Sequence, residues 1–125
     1  MEQQSALRGV IAPVLTPFTA DLRPDAPRLV ELCRWLLARD AGLAVFGTTS
    51  EANSLSVGEK IELLDALVEA GLPVARMMPG TGCCAFPDTV LLTRHAVRHG
   101  CGGVLMLPPF YYKVATDVGL YACFS

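Results

Sequence analysis

The sequence lacks the features that mark several other classes of protein. Its ten basic and twelve acidic residues leave a net charge of −2, and they form neither a basic stripe nor a block of like charge. We therefore expect no nucleic-acid partner. No apolar run approaches the ~18 residues of a membrane span. The first residues, MEQQSALRG, contain no apolar segment typical of a secretion signal. These absences predict a cytoplasmic protein with no membrane partner.

The sequence also lacks cysteines at the spacings typical of metal sites or disulfide frameworks. The chain has five cysteines, an odd number, and none of them forms a C-x-x-C motif. This pattern favours reduced thiols rather than a disulfide framework or a zinc site. The adjacent residues Cys83 and Cys84 leave a redox-active pair as a second interpretation.

What the sequence does contain is a high share of hydrophobic residues, 52%, which suffices for one domain with a buried core. Four segments, at 10–15, 43–46, 73–78 and 103–107, are almost continuously apolar, as strands of a parallel sheet are when both faces are covered. Helical patterns at 25–40, 57–70 and 88–99 lie between them, and a fourth helix is predicted to begin near Thr116.

The predicted helices end at regularly spaced glycines. Each of the first three stops at a glycine, Gly42, Gly71 or Gly100, and these glycines are spaced 29 residues apart. Glycine tolerates the left-handed conformation that often ends a helix. Ser56 and Glu59, three residues apart, predict a capping box at the start of the second helix. The spacing indicates a repeated βα unit with no domain boundary inside the chain.

Repeated βα units form either an open doubly wound sheet or a closed (β/α)8 TIM barrel. The open sheet typically carries a glycine-rich phosphate loop after its first strand, and no G-x-G-x-x-G motif is present here. A barrel takes about 250 residues and eight units. Because this chain provides four, we interpret residues 1–125 as the N-terminal half of a single TIM-barrel domain.

Small and polar residues cluster where the predicted strands end. The second strand is followed by G-T-T-S-E from Gly47, the third by G-T-G from Gly80, and the fourth by P-P-F-Y-Y from Pro108. In a barrel these ends meet at one mouth, where the active site forms. Hydroxyls there can bind a carboxylate or relay a proton. Taken singly, the threonines could instead form turns, Glu51 could support the next helix, and the tyrosines could pack at an interface.

The motifs GVIAPVLTPF, GTTSEANSLS, PGTG and PPFYYK, in this order and spacing, resemble those of the dihydrodipicolinate synthase / N-acetylneuraminate lyase family. The resemblance extends from about Gly9 to Phe124. It implies a (β/α)8 barrel, usually assembled as homodimers or homotetramers. It also implies aldol-type lyase chemistry on pyruvate or a related 2-oxo acid through a lysine Schiff base, with no metal or organic cofactor.

The resemblance also implies roles for individual residues. Thr48 would belong to a hydroxyl proton relay, and Tyr112 would reach across a dimer interface into the relay of a neighbouring subunit. Thr49 would hold the substrate carboxylate with its hydroxyl and amide. The remaining substrate-binding residues would be Gly47, Ser50 and Tyr111.

The chain departs from the family pattern in ways that bear on activity and substrate. The Schiff-base lysine and the main catalytic tyrosine of the family are expected beyond Ser125. Val57, Lys60 and Cys84 stand where lysine-inhibited synthases bind their effector through histidines and an asparagine, which argues against lysine feedback. Ser50 replaces a usual glycine and would add bulk beside the carboxylate site. The P-P-F-Y-Y sequence leaves a sialic acid or 2-keto-3-deoxy sugar acid lyase as an alternative, and a catalytically inactive half-barrel is another.

Other chemically active side chains are interpreted as structural. His95 and His99 are four residues apart, a spacing that can hold a metal. Beside arginines at a predicted helix end, however, they also suit the helix dipole, and we expect no metal. Lys60 is expected to be solvated, Lys113 to lie at the mouth without a Schiff-base role, and Trp35 to pack in the core or an interface.

Overall fold

The computed structural model describes residues 7–113 and 115–125, so the predicted domain is described except at 1–6 and 114. Two short strands and four helices lie along these residues. They are β1 (Ile11–Pro13), α1 (Ala26–Leu37), β2 (Gly42–Ala44), α2 (Val57–Glu69), α3 (Phe86–His99) and α4 (Asp117–Phe124). Single 3-10 turns lie at Ala52–Ser54 and Val74–Arg76. No helix in the described part is long and apolar enough to cross a membrane.

The helices begin where local sequence supplies partners for their first amides. Asp25 accepts a hydrogen bond from the amide of Arg28 at the start of α1. At α2 the capping box is confirmed: the amide of Glu59 donates to the Ser56 hydroxyl at 3.1 Å, and the amide of Ser56 donates to the Glu59 carboxylate at 2.8 Å. Such reciprocal capping satisfies donors that a helix start otherwise leaves unpaired.

The pairing between successive strand positions is parallel and follows chain order. Ile11 in β1 pairs with Gly42 in β2. Leu43 then pairs with Met77, and Gly80 pairs with Leu105. The third and fourth strand positions are therefore single bridges in this chain, shorter than the predicted strands. An open doubly wound sheet reverses its strand order part-way, whereas consecutive order is what a barrel requires.

The core lies between this parallel layer and the helices packed on it. Leu43 and Val45 belong to the same buried cluster as Leu29 and Cys33 of α1, and α2 contributes three buried leucines, Leu63, Leu64 and Leu67. The core cluster between layer and helices consists of Val14, Leu29, Cys33, Leu43, Val45, Phe46, Leu55, Leu63, Leu64, Leu67, Leu72, Met77 and Ala96. Burial raises the pKa of the Cys33 thiol to about 12, so it behaves as an inert apolar group.

Two of the three equally spaced glycines are confirmed as helix ends. Gly71 and Gly100 have φ of 77° and 79°, the left-handed conformation that follows a helix. Gly42 was predicted to end the first helix, and this is wrong. Helix α1 ends at Leu37, Asp40 takes the left-handed conformation at φ 59°, and Gly42 begins β2.

One further sequence prediction is wrong, and another is narrowed. Lys60 is buried rather than solvated, with 4% of its surface exposed. Trp35 was predicted to pack in the core or an interface. It lies outside the core with 53% of its surface exposed, and the Arg39 guanidinium stacks 3.7 Å from its ring centre, so the interface stays a prediction. Helical spacing places Trp35 among leucines but does not identify which face of α1 meets the sheet.

Gly80 provides a test of the strand packing. Its amide donates to the Val45 carbonyl at 2.7 Å. A Cβ at this position would lie 2.1 Å from the carbonyl oxygen of Phe46. Since the obstructing atom is backbone, Gly80→Ala is expected to lower the free energy of unfolding by about 3 kcal/mol. Urea unfolding followed by circular dichroism measures this.

The matched control is Gly58→Ala in α2, where the nearest atom to a new Cβ is 3.9 Å away. This change should leave stability the same or raise it by up to about 1 kcal/mol, because alanine suits a helix better than glycine. Equal effects of the two substitutions would contradict the close approach at Gly80.

Candidate active site

The segment after β2 turns sharply at Phe46. This buried residue has φ of 61°, a conformation that non-glycine residues adopt at a cost. A helical turn follows, in which the amide of Glu51 donates to the Thr48 carbonyl at 3.0 Å and the amide of Ala52 donates to the Gly47 carbonyl at 3.2 Å. Glu51 itself has φ of 56°. The backbone thus directs the G-T-T-S-E segment across the end of the sheet.

The first amides of this turn are available to a ligand. Within residues 7–113 and 115–125, no acceptor pairs with the amides of Thr48 and Thr49. Both residues are exposed. Successive unpaired N–H groups at the start of a helical turn form a concavity that binds anions. The turn is therefore suited to hold a carboxylate.

The Ser50 side chain links this turn to the backbone of the neighbouring strand. Its hydroxyl donates to the carbonyl of Val14, just after β1, and its exposed fraction is 1%. Sequence analysis predicted Ser50 as a substrate-binding residue that adds bulk at the carboxylate site. In the structure its side chain is directed instead to the backbone of the neighbouring strand, an arrangement that favours a positioning role.

A cavity of about 250 Å³ opens beside the turn. Of the predicted site residues, Gly47 and Thr48 line it, whereas Thr49, Ser50, Tyr111 and Tyr112 do not. The other lining residues are Phe46, Glu51, Ala52, Asn53, Ser54, Gly80, Gly82, Leu105 and Leu107. The cavity thus brings residues after the second strand position together with Gly80 and Gly82 of the third and Leu105 and Leu107 of the fourth, whereas the predicted strand-end residues 108–112 do not line it.

Asn53, Ser54, Leu105 and Leu107 were missed as site residues. The two leucines belong to a segment predicted as buried strand, yet they are 41% and 44% exposed toward this cavity and solvent. Their alternation with Met106 was the signal that could have shown which side chains face inward. Asn53 and Ser54 lie in the 3-10 turn that follows Glu51.

The two tyrosines lie on the surface. Tyr111 and Tyr112 are 71% and 81% exposed, and their rings meet edge-to-face at 5.2 Å. Two adjacent exposed aromatic rings are typical of a contact surface. The prediction that Tyr112 enters the proton relay of a neighbouring subunit stays a prediction.

None of the residues lining the described cavity is a lysine. Lys113 is exposed beyond Tyr112, and the buried Lys60 lies near Cys83.

Burial raises the pKa of the Cys83 thiol, and the positive charge of Lys60 opposes this in part. A raised pKa leaves little thiolate, which argues against a reactive Cys83–Cys84 pair.

The model of the dihydrodipicolinate synthetase family matches residues 6–125. The chain belongs to this family. A DapA-like lyase of Chloroflexus aurantiacus is 40% identical over 121 residues, which cover 94% of this chain and 40% of that protein. A 4-hydroxy-tetrahydrodipicolinate synthase of Desulforamulus reducens is 36% identical over 116 residues, covering 92% and 39%. The chain thus spans about 40% of the length of these curated relatives.

Solved structures agree with this membership. Dihydrodipicolinate synthase from Agrobacterium tumefaciens superposes with a TM-score of 0.89 at 29% identity, covering 93% of this chain and 41% of that one. YagE of Escherichia coli K12, solved in complex with pyruvate, gives 0.80 at 30% identity, covering 93% and 39%. N-acetylneuraminate lyase of Proteus mirabilis gives 0.83 at 29%, covering 94% and 40%. The predicted TIM-barrel family and its lyase class are confirmed.

The Ser50 hydrogen bond can be tested directly. Ser50→Ala leaves the buried carbonyl of Val14 without this donor, so the free energy of unfolding is expected to fall by about 1–3 kcal/mol. Ser54→Ala is the control because Ser54 is exposed and its hydroxyl makes no hydrogen bond within the described residues. Its effect should stay within about 0.5 kcal/mol. Chemical denaturation of both variants measures these changes. An unchanged free energy of unfolding in Ser50→Ala would refute the positioning role.

Proposed function

We propose that this chain contributes the carboxylate-binding half of an active site in a Schiff-base lyase that acts on pyruvate or a related 2-oxo acid. The observation that carries the proposal is the helical turn after Gly47, which leaves the amides of Thr48 and Thr49 unpaired and lines the cavity with Gly47 and Thr48. A carboxylate held there would place the oxo carbon of the substrate over the cavity formed by the strand ends. The pyruvate complex of YagE supports this choice of ligand.

The size of the cavity also supports a small acid. At about 250 Å³ it lies below the roughly 300–1,000 Å³ of pockets for drug-sized ligands. Leu105 and Leu107 give it an apolar side, while Gly47, Thr48 and Asn53 give it polar groups. An apolar wall excludes water from a reacting centre and strengthens the electrostatic contacts made there.

Within this proposal each residue has a limited task. The Thr49 hydroxyl and the two amides hold the carboxylate, and the Thr48 hydroxyl passes a proton to or from the substrate oxygen. Tyr112 would extend that proton path into the neighbouring subunit of a homodimer or homotetramer. The amine that forms the Schiff base, with loss of one water from the oxo carbon, would come from a lysine outside residues 1–125.

The choice of second substrate stays open between two branches. A lysine-pathway synthase would join pyruvate to an aldehyde, whereas a sialic acid or 2-keto-3-deoxy sugar acid lyase would release pyruvate or a related oxo acid from a longer chain. Both branches need the same carboxylate turn. The exposed Tyr111 and Tyr112 and the P-P-F-Y-Y segment that carries them are the features that favour the sugar-acid branch.

The covalent step is tested by trapping it. The full-length protein is incubated with pyruvate and borohydride, and its intact mass is compared with samples that lack either reagent. A reduced pyruvate adduct is expected, and peptide mapping should place it on a lysine outside residues 1–125. No adduct would support a catalytically inactive barrel instead, and an adduct on Lys60 or Lys113 would overturn the assignment of residues.

The carboxylate assignment is tested by Thr49→Ala in the same full-length protein. Loss of a charge-assisted hydrogen bond should weaken pyruvate binding by about 1–3 kcal/mol, measured by calorimetry. Thr49→Ser is the control, since it keeps both the hydroxyl and the backbone amide and should keep most of the affinity. An unchanged affinity in Thr49→Ala would show that the side chain does not contact the carboxylate.

A further inference from the structure

A second cluster of chemically active side chains lies on the helical layer, between α2 and α3. His95 and His99 lie on the same face of α3, and Asp65 of α2 faces them. The Nε2 atoms of both histidines lie 2.8 Å from the same carboxylate oxygen, Oδ1 of Asp65. All three potential ligand atoms fall within 4.8 Å of one another.

The internal hydrogen bonding of this cluster is incomplete. The contact of His99 with Asp65 has hydrogen-bond geometry. The contact of His95 is equally short but misaligned, so the buried Nε2 of His95 has no hydrogen-bond partner within the described residues. An unpaired buried nitrogen beside a carboxylate costs free energy, and a bound cation would remove that cost. This orphaned atom is the observation that points to a ligand.

The ligand set matches a divalent transition metal. Two imidazole nitrogens and one carboxylate oxygen are typical protein ligands of Zn²⁺, at about 2.0–2.2 Å each. Ligand atoms in such a tetrahedral site lie about 3.4 Å apart, so a modest rotation of the Asp65 side chain would open the cluster to that spacing. The side chains of His95, His99 and Asp65 are 19%, 28% and 40% exposed, and an ion can therefore enter from solvent.

We propose that Asp65, His95 and His99 form a Zn²⁺ site that joins α2 to α3 and leaves a fourth position for water. The proposal replaces our sequence-based expectation of no metal. It concerns a site separate from the cavity after Gly47, because none of the three residues lines that cavity.

The charges around the cluster limit the affinity without excluding the ion. Arg94 and Arg98 flank the histidines along α3 and disfavour a cation. Glu62 and Glu69 lie about one turn before and after Asp65 on α2 and favour it. One carboxylate and two neutral imidazoles leave a zinc complex with a single positive charge, which the two glutamates can balance.

The test uses the untagged full-length protein, freed of metal and titrated with Zn²⁺ against a coloured chelator. One equivalent of binding is expected at this site. His95→Gln and His99→Gln should each lower the affinity of that site at least tenfold, since removing a direct ligand should cost no less than the roughly 10–100-fold of outer-shell changes. Glu31→Gln, which removes an exposed carboxylate from α1, should bind zinc as the parent does.

Thiols need their own control because the chain has five cysteines. The double variant Cys83→Ser/Cys84→Ser should keep the site, and bound Co²⁺ should show no thiolate charge-transfer bands from it. Weaker binding in this variant with unchanged binding in the histidine variants would overturn the proposal. Failure of the parent protein to bind Zn²⁺ would overturn it as well.

A measurement without substitutions guards against variants that fold poorly. Diethyl pyrocarbonate modifies free imidazoles, and mass spectrometry locates the modified histidines. Saturating Zn²⁺ is expected to slow modification of both His95 and His99 at least tenfold. Unchanged modification rates at these two residues would contradict metal binding by the cluster.

Discussion

The close backbone contact between the second and third strand positions is the constraint on which the rest of the site depends. The amides of Met78 and Gly80 donate to the carbonyls of Leu43 and Val45 at 2.8 and 2.7 Å. This pairing brings Gly80 so near to Phe46 that no side chain fits between them. With its carbonyl held against Gly80, Phe46 adopts a left-handed conformation, and the chain leaves the sheet at that point. The position of the turn after Gly47 follows from this contact.

Two further interactions then hold the turn from opposite sides. The Ser50 hydroxyl ties it to the backbone after β1, and the capping box of Ser56 and Glu59 fixes where α2 begins. With both ends fixed, the turn favours a preformed arrangement of the amides of Thr48 and Thr49. Preorganised donors of this kind bind an anion without first losing the entropy of a mobile loop. Glu51 lies between the Ser50 contact and the capping box. Its backbone takes the left-handed conformation, and its side chain makes no capping hydrogen bond.

The sequence predicted the order of helices and strands well. It predicted strand lengths and the burial and direction of several side chains poorly, and particular residues show why. Helices are local, so hydrophobic spacing and the capping box placed α2 within a residue of its observed end. Strand extent depends on partners far along the chain, and the third and fourth strands contract to single bridges here. Gly42 failed as a helix end because spacing alone cannot distinguish a cap from a strand glycine. The burial of Lys60 and the direction of the Ser50 hydroxyl depend on tertiary contacts, Ser50 with Val14 at a distance of 36 residues. Asp65 and His99, 34 residues apart, are joined only by the packing of α2 on α3.

The position of the histidine cluster indicates what a metal there would do. In a βα barrel the helices run antiparallel to the strands, so the helix starts lie near the strand ends that form the active site. Asp65 lies in the second half of α2, and His95 and His99 lie in the second half of α3. The cluster is therefore directed toward the opposite end of the layer from the carboxylate-binding turn. An ion bound there would act on the packing of two outer helices rather than on the substrate. It would add stability in proportion to the logarithm of metal concentration over the dissociation constant, leaving the chemistry of the strand ends unchanged.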